Sequence, residues 1–453
     1  MAGFKPVLAF LVTGALAGTA PGALAQEDMA ACHAGSYRLD SGAVLDIGLL
    51  PDGTLRWRTI DGRSGTLTEN AGGVWSGNDG WSDQPHPARI ELGGCDDDTI
   101  AVHGIEHLEG PAQRIAYSME ETRFQGGGVE LAGRLILPPG EGPFPLAVLV
   151  HGSESYSALD YAYYQRLLPA QGVASFVYDK RGTGASTGEY TQDFHLLAAD
   201  AAAAFEEARR VAGDRIGDAG YLGGSQGGWV SPLAATMSEP DFLMVGFGLA
   251  EGPLAEDREE VRTNLVEAGY SGDVLETART ITDITGRVMA SGFTDGLADL
   301  ERVKAIYAHE AWFNVIEGEF TGEMLHTPLA EYRAGYAAED VGTSWEYEPM
   351  PVLRQLDIPI LWVLAGADRE APADTTRALL SELQSEGQPI DIAWFPGVDH
   401  GITRFVEDEA GERTTMGYAD GYFRLLADWP ARYGFDVPYG DAELAPHSQE
   451  PDE

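Results

Sequence analysis

Six short apolar runs, set off by segments of helical character, constrain this chain more than any other feature. Residues 146–150 are apolar at every position, as a strand buried on both faces should be. Residues 174–178, the less apolar 219–222, then 242–249, 358–364 and 390–395 repeat the pattern. Among them, 161–171, the alanine-rich 196–211 and a stretch from Trp229 onward have helical character. Strands at 121–124 and 129–137, around the turn Gly126-Gly127-Gly128, lead into this series. Strands alternating with helices predict an α/β fold, a mainly parallel sheet with helices on both faces.

Two regions depart from that rhythm. Residues 32–116 read as short strands broken by turns such as Pro51-Asp52-Gly53 and Asp61-Gly62. They predict a small N-terminal antiparallel β domain (26–118) with no catalytic signal, for which packing is the default role. Between the strands of the catalytic domain (119–251 and 356–435) lies an insertion, 252–355. Val274, Leu275, Ala278, Ile281, Ile284 and Val288 recur there at helical spacing, as do Leu297, Leu300, Val303 and Tyr307. A hundred mainly helical residues are better read as a cap than as a loop. Its aromatic residues, Trp312, Phe313, Phe320, Tyr332, Tyr336, Trp345 and Tyr347, are expected to be cap core, with one or two reaching the site. The acidic tail, 436–453, is expected to be disordered from about Gly440.

The first residues suggest export. Lys5 precedes an apolar run over 7–20, and Ala23-Leu24-Ala25 fits a small-x-small cleavage pattern, so 1–25 is expected to be removed. The expected localisation is periplasmic or extracellular, with no membrane attachment afterwards. Cys32 and Cys95, the two cysteines of the chain, are then expected to pair in an oxidising compartment. A formal charge of −43 disfavours nucleic acid and anionic membranes as partners. No H-E-x-x-H occurs, and two cysteines without paired histidines make a poor metal site.

The chemistry is carried by Gly223-Gly224-Ser225-Gln226-Gly227, a G-x-S-x-G pattern between a strand and a helix. A serine on such a tight turn needs small flanking residues, and the turn lifts its hydroxyl above the sheet. A serine hydroxyl also needs a base, and the base an orienting acid. His400, in Pro396-Gly397-Val398-Asp399-His400-Gly401, follows the last apolar strand, and Asp368, in Ala365-Gly366-Ala367-Asp368, follows the one before. Glu251 and Asp399 are rival acids. Backbone N–H groups of Gln226 and Ser153 are the candidate oxyanion donors, with His151 bracing the loop.

Together these residues resemble the α/β-hydrolase superfamily. Within it they are similar to exported bacterial esterases near the serine aminopeptidase-like and dienelactone hydrolase-like groups. Tyr178-Asp179-Lys180-Arg181-Gly182-Thr183-Gly184-Ala185-Ser186 looks like the Y-D-x-R-G-x-G-x-S segment of those proteins, and Gly224-Ser225-Gln226-Gly227-Gly228-Trp229 is similar to their elbow. Glu154, where such esterases often carry glycine, is a departure. The resemblance implies an α/β-hydrolase fold and a serine hydrolase acting through Ser225, Asp368 and His400 on a small-molecule carboxylic ester, with no cofactor or metal. A peptidase or a thioesterase on the same triad is the alternative, and a catalytically dead binding module is a more distant one.

Overall fold

The computed structural model describes residues 31–70 and 74–447. The candidate leader, 1–25, lies outside the described residues. Among the described residues no helix is long and apolar enough to cross a membrane.

Eight antiparallel strands, from Gly35–Leu39 to Gly110–Arg114, close into a barrel. Its inward-facing side chains, among them Tyr37, Leu45, Ile47, Trp57, Ile90 and Val102, form a core of their own. Cys32 and Cys95 are disulfide-bonded across 63 residues of sequence, with their Cα atoms 5.4 Å apart.

A nine-stranded sheet follows. In spatial order its strands are Glu443–Ala445, Ile390–Phe395, Ile360–Ala365, Phe242–Gly246, Ile216–Gly224, Phe144–Val150, Ala174–Tyr178, Val129–Leu137 and Ser118–Gly126. The six from Ile390–Phe395 to Ala174–Tyr178 run parallel, and both margins are antiparallel. Helices cover both faces, so the central strands are buried throughout, as their unbroken apolar sequences require. The fold is that of an α/β hydrolase, with a small antiparallel β domain in front of it.

Between Phe242–Gly246 and Ile360–Ala365 the chain leaves the sheet for a helical excursion. Its long helices, Pro253–Glu267, Asp273–Ala290 and Leu297–Tyr307, pack around Val261, Ile281, Val288, Leu300 and Phe320.

Two expectations need correction. Residues 161–171 do not form one helix. They form parts of two single turns, Ala158–Tyr161 and Tyr164–Leu167, then a 3-10 turn at Pro169–Gln171. Pro169 cannot continue an α-helical ladder, and Gly172 ends the segment in a left-handed conformation. The acidic tail is also more ordered than its composition suggests. Glu443–Ala445 pairs with the strand Ile390–Phe395, and His447 donates its backbone N–H to Asp391 Oδ1 at 2.8 Å. The buried Asp391 carboxylate also accepts from Trp429 Nε1 at 2.7 Å, so the tail helps to satisfy a polar group inside the sheet.

Candidate active site

The strand Ile216–Gly224 ends at Ser225, and the helix Gly227–Ala235 begins two residues later. Ser225 has φ = 52°, a left-handed conformation that costs a non-glycine residue energy. The surroundings impose it. A Cβ at Gly223 would lie 2.2 Å from Gly227 O, and one at Gly227 would lie 2.3 Å from Val150 O. The bare glycines let strand and helix close on each other, which leaves the serine at the apex of the turn.

Loops at the C-terminal ends of two neighbouring strands bring the partners. Asp368 follows Ile360–Ala365, and His400 follows Ile390–Phe395. His400 Nε2 lies 3.1 Å from Ser225 Oγ, and His400 Nδ1 lies 2.9 Å from Asp368 Oδ2. The other oxygen of Asp368 accepts backbone N–H groups from Glu370 (3.0 Å) and Ala371 (2.8 Å), which fixes the carboxylate plane. Neither rival acid reaches the imidazole. Asp399 accepts the backbone N–H of His400 and pairs with Arg413 at 2.9 Å. Glu251, whose backbone carbonyl accepts from Trp229 Nε1 of the elbow helix at 2.8 Å, has its carboxyl pushed up to about 7 by burial.

A second carboxylate beside the imidazole was not anticipated from the sequence. Glu370 Oε1 lies 3.6 Å from His400 Nε2. Burial works against the charged imidazole, but Asp368 and Glu370 outweigh it, and His400 is raised to about 10. Its place two residues after Asp368 was the available signal.

The loop 151–153 lies beside Ser225, where a Cβ at Gly152 would be 3.3 Å from Ser225 Cβ. His151 Nε2 bonds to Tyr178 O at 2.5 Å, consistent with a bracing side chain. Buried Lys180 donates to Gly152 O at 2.7 Å, and burial pushes its amine down to about 8. Tyr190 OH donates to Ser153 O. Among the described residues, no backbone hydrogen bond of a turn, loop or cap uses the N–H groups of Ser153 and Gln226.

A cleft of about 320 Å³ opens at Ser225 and His400. Its walls are tyrosine-rich, formed by Tyr156, Tyr161, Tyr163, Tyr164 and Tyr422 together with Phe247. The cap aromatics do not line it. Most of them pack within the cap core, Tyr347 joins the core of the sheet, and Trp345 alone borders a second, smaller cavity. The run Tyr161-Ala162-Tyr163-Tyr164 was the visible signal for the wall.

A serine, an imidazole and a carboxylate in this line can pass a proton from the hydroxyl to the ring while the acid holds the ring's tautomer. Known proteins agree at the level of family. A model of the alpha/beta hydrolase family matches residues 147–414. The esterase FrsA of Enterobacter sp. strain 638 is 34% identical over 119 residues, which are 26% of this chain and 29% of that protein. The esterase FrsA of Escherichia coli strain K12 / DH10B is 33% identical over 91 residues, 20% and 22% of the two chains. The chain thus spans less than a third of the length of these curated relatives. Among solved structures, an esterase of Pyrococcus furiosus is similar with a TM-score of 0.39 and 13% identity, over 63% of this chain and 85% of that one. An acylaminoacyl peptidase of Pyrococcus horikoshii gives 0.42 and 15%, over 86% and 57%. The matched family model covers more than half of the chain, from the strand before the His151 loop to beyond His400, and the chain belongs to the alpha/beta hydrolase family.

Proposed function

We propose that this hydrolase is a carboxylesterase that works through an acyl-enzyme on Ser225. The observation that carries the reading is the unbroken line from Ser225 Oγ through His400 to Asp368, with contacts of 3.1 and 2.9 Å. In the first half-reaction His400 takes the serine proton as Oγ attacks the ester carbonyl. The N–H groups of Gln226 and Ser153 hold the developing oxyanion. His400 then gives the proton to the departing alcohol. In the second half it activates water, which releases the acid and restores the serine. Asp368 keeps the ring oriented and stabilises its charged form. The tyrosine-walled cleft suits an apolar or aromatic group on one side of the ester.

Export belongs to the same reading. The bonded pair Cys32–Cys95 supports an oxidising destination.

The test is hydrolysis of p-nitrophenyl esters from acetate to decanoate, beside aminoacyl and prolyl p-nitroanilides, with Ser225→Ala as the control. Ester turnover abolished by that substitution is the expected result. Anilide turnover with poor ester activity would replace the esterase reading with a peptidase. A protein silent on both, and unlabelled by a fluorophosphonate, would sink the hydrolytic role of Ser225.

A further inference from the structure

The segment after the strand Ala174–Tyr178 is tied down residue by residue. Asp179 is buried and accepts from Ser157 Oγ at 2.8 Å and from the backbone N–H groups of Leu159 (3.1 Å) and Ala185 (2.8 Å). Arg181 makes a two-pronged pair with buried Asp200, both contacts at 2.7 Å. Between them the backbone carbonyl of Lys180 accepts the N–H and the hydroxyl of Thr183, at 3.0 and 2.9 Å. The run Tyr178-Asp179-Lys180-Arg181-Gly182-Thr183 thus fixes the backbone from which the Lys180 side chain departs. That side chain ends at the loop 151–153.

Lys180 is only 3% exposed. Its Nζ donates to Gly152 O at 2.7 Å and stands 4.9 Å from the ring centre of Tyr190. An ammonium in the interior is expensive unless it finds partners, and Glu154 supplies the neighbouring charge that favours it. Glu154 folds back over the same loop, so that a Cβ at Gly152 would lie 2.8 Å from its Oε2. The carbonyl that Lys180 holds is one half of a peptide group whose other half is the Ser153 N–H. That peptide is trans, since the cis bond among the described residues is Gly142–Pro143. In a planar trans peptide the N–H points away from the C=O. A cation that fixes the oxygen therefore fixes the direction of the N–H on the opposite side. In surroundings of low dielectric it also polarises the amide and strengthens the hydrogen bond that the N–H can give. The next peptide is held in a similar way: Tyr190 OH donates to Ser153 O, and Gln192 Nε2 donates to Tyr190 OH at 3.2 Å.

We propose that Lys180 is a positioning residue of the oxyanion hole, which orients and polarises the Gly152–Ser153 peptide so that the Ser153 N–H is set for the oxyanion formed at Ser225. Lys180 touches no reacting atom, and its part rests on the hydrolase reading, because without attack by Ser225 no oxyanion forms. The contribution grows as the substrate carbonyl oxygen gains charge and is small while that oxygen is neutral. It therefore acts on kcat rather than on KM.

The test compares the full-length protein with its Lys180→Met variant, which keeps the reach of the side chain and removes its charge and N–H groups. On p-nitrophenyl butyrate kcat should fall by about tenfold to a hundredfold, less than the roughly 10²–10³ that a direct oxyanion donor is worth, with KM within about twofold. Affinity for n-butyl trifluoromethyl ketone, whose carbonyl carbon bonds to Ser225 Oγ and leaves an oxyanion, should fall by the same factor as kcat/KM. Lys304→Met is the control for a lysine whose work is structural, since Lys304 Nζ donates to Met324 O (3.2 Å) and Thr327 O (3.0 Å) within the cap. It should leave kcat and ketone affinity unchanged. A Lys180→Met enzyme within twofold of the wild type on both, or one whose loss lies in KM alone, would overturn the assignment while the hydrolase reading stands. A wild type that neither hydrolyses the ester nor binds the ketone would overturn the hydrolase reading and this assignment with it. A wild type that binds the ketone but prefers another substrate is read on the ketone affinities. If Lys180→Met does not fold, Lys180→Gln, neutral and too short to reach Gly152 O, is read in its place by the same criteria.

Discussion

His400 sits between Asp368, 2.9 Å from its Nδ1, and Glu370, 3.6 Å from its Nε2. The two carboxylates have different consequences. Asp368 holds the tautomer that presents a bare Nε2 to the serine, so Asp368→Asn should lower kcat by roughly 10³- to 10⁴-fold while KM changes little. Near-normal turnover in that variant would move the acid elsewhere. Glu370 favours the imidazolium, and a protonated ring cannot act as a base. For a neutral ester, kcat/KM, which reports the free enzyme, should therefore rise with pH towards the raised value of about 10. Glu370→Gln removes one of the groups that raise it, so the rise should move to lower pH; an unmoved profile would mean Glu370 does not act on the base. Ser225, Asp368 and His400 were legible because each occupies a loop at a strand end with glycine or alanine beside it. Glu370 was not, because its 3.6 Å approach to His400 Nε2 arises only when the loops after two neighbouring strands meet.

At the scale of elements, the strand–elbow–helix unit is the part most tightly specified by its sequence. Gly223 and Gly227 stand where their neighbours' backbones leave no room for a methyl group. Gly223→Ala should therefore destabilise the protein by about 1–3 kcal/mol and reduce the fraction that a fluorophosphonate can titrate. Full titration with an unchanged denaturation midpoint would show that the turn has room to relax. The apolar strands were readable for a related reason. A strand covered on both faces has no polar positions to confuse its pattern, and 174–178 and 390–395 coincide with the observed elements. The segment 161–171 misled because its aromatic side chains serve a cleft wall and a core at once, so no single helical face emerges. The closed barrel exceeded what its turn residues could convey, since closure depends on pairing of the first and last strands, Gly35–Leu39 and Gly110–Arg114.

In the whole molecule, the barrel is tied to the catalytic domain through buried charge. Asp46, on a barrel strand and fully buried, pairs with Arg166 at 2.7 Å and with Arg58 at 3.4 Å. Arg58 in turn stacks on Tyr163, 4.5 Å from its ring centre, and Tyr163 belongs to the wall of the cleft. Asp46→Ala leaves two arginines uncompensated and should cost about 3–5 kcal/mol, read as a lower urea midpoint. A loss of less than about 1 kcal/mol would show that water replaces the carboxylate at little expense. The net charge of −43 makes the compact state repel itself. Raising ionic strength from about 0.01 to 0.15 M shortens the screening length from roughly 30 to 8 Å, so thermal midpoints should climb with NaCl; a fall would point to ion pairs outweighing repulsion. The short strand Glu443–Ala445 bears on a different property, colloidal behaviour. It occupies the outer hydrogen-bonding edge of Ile390–Phe395, an apolar strand buried along its length. An enzyme that trimmed the chain back past Glu443 would bare a ready template for pairing with a second molecule. The strand Glu443–Ala445 thus acts as a guard against aggregation, and preparations clipped there should gather into higher-mass species before they lose the geometry at Ser225.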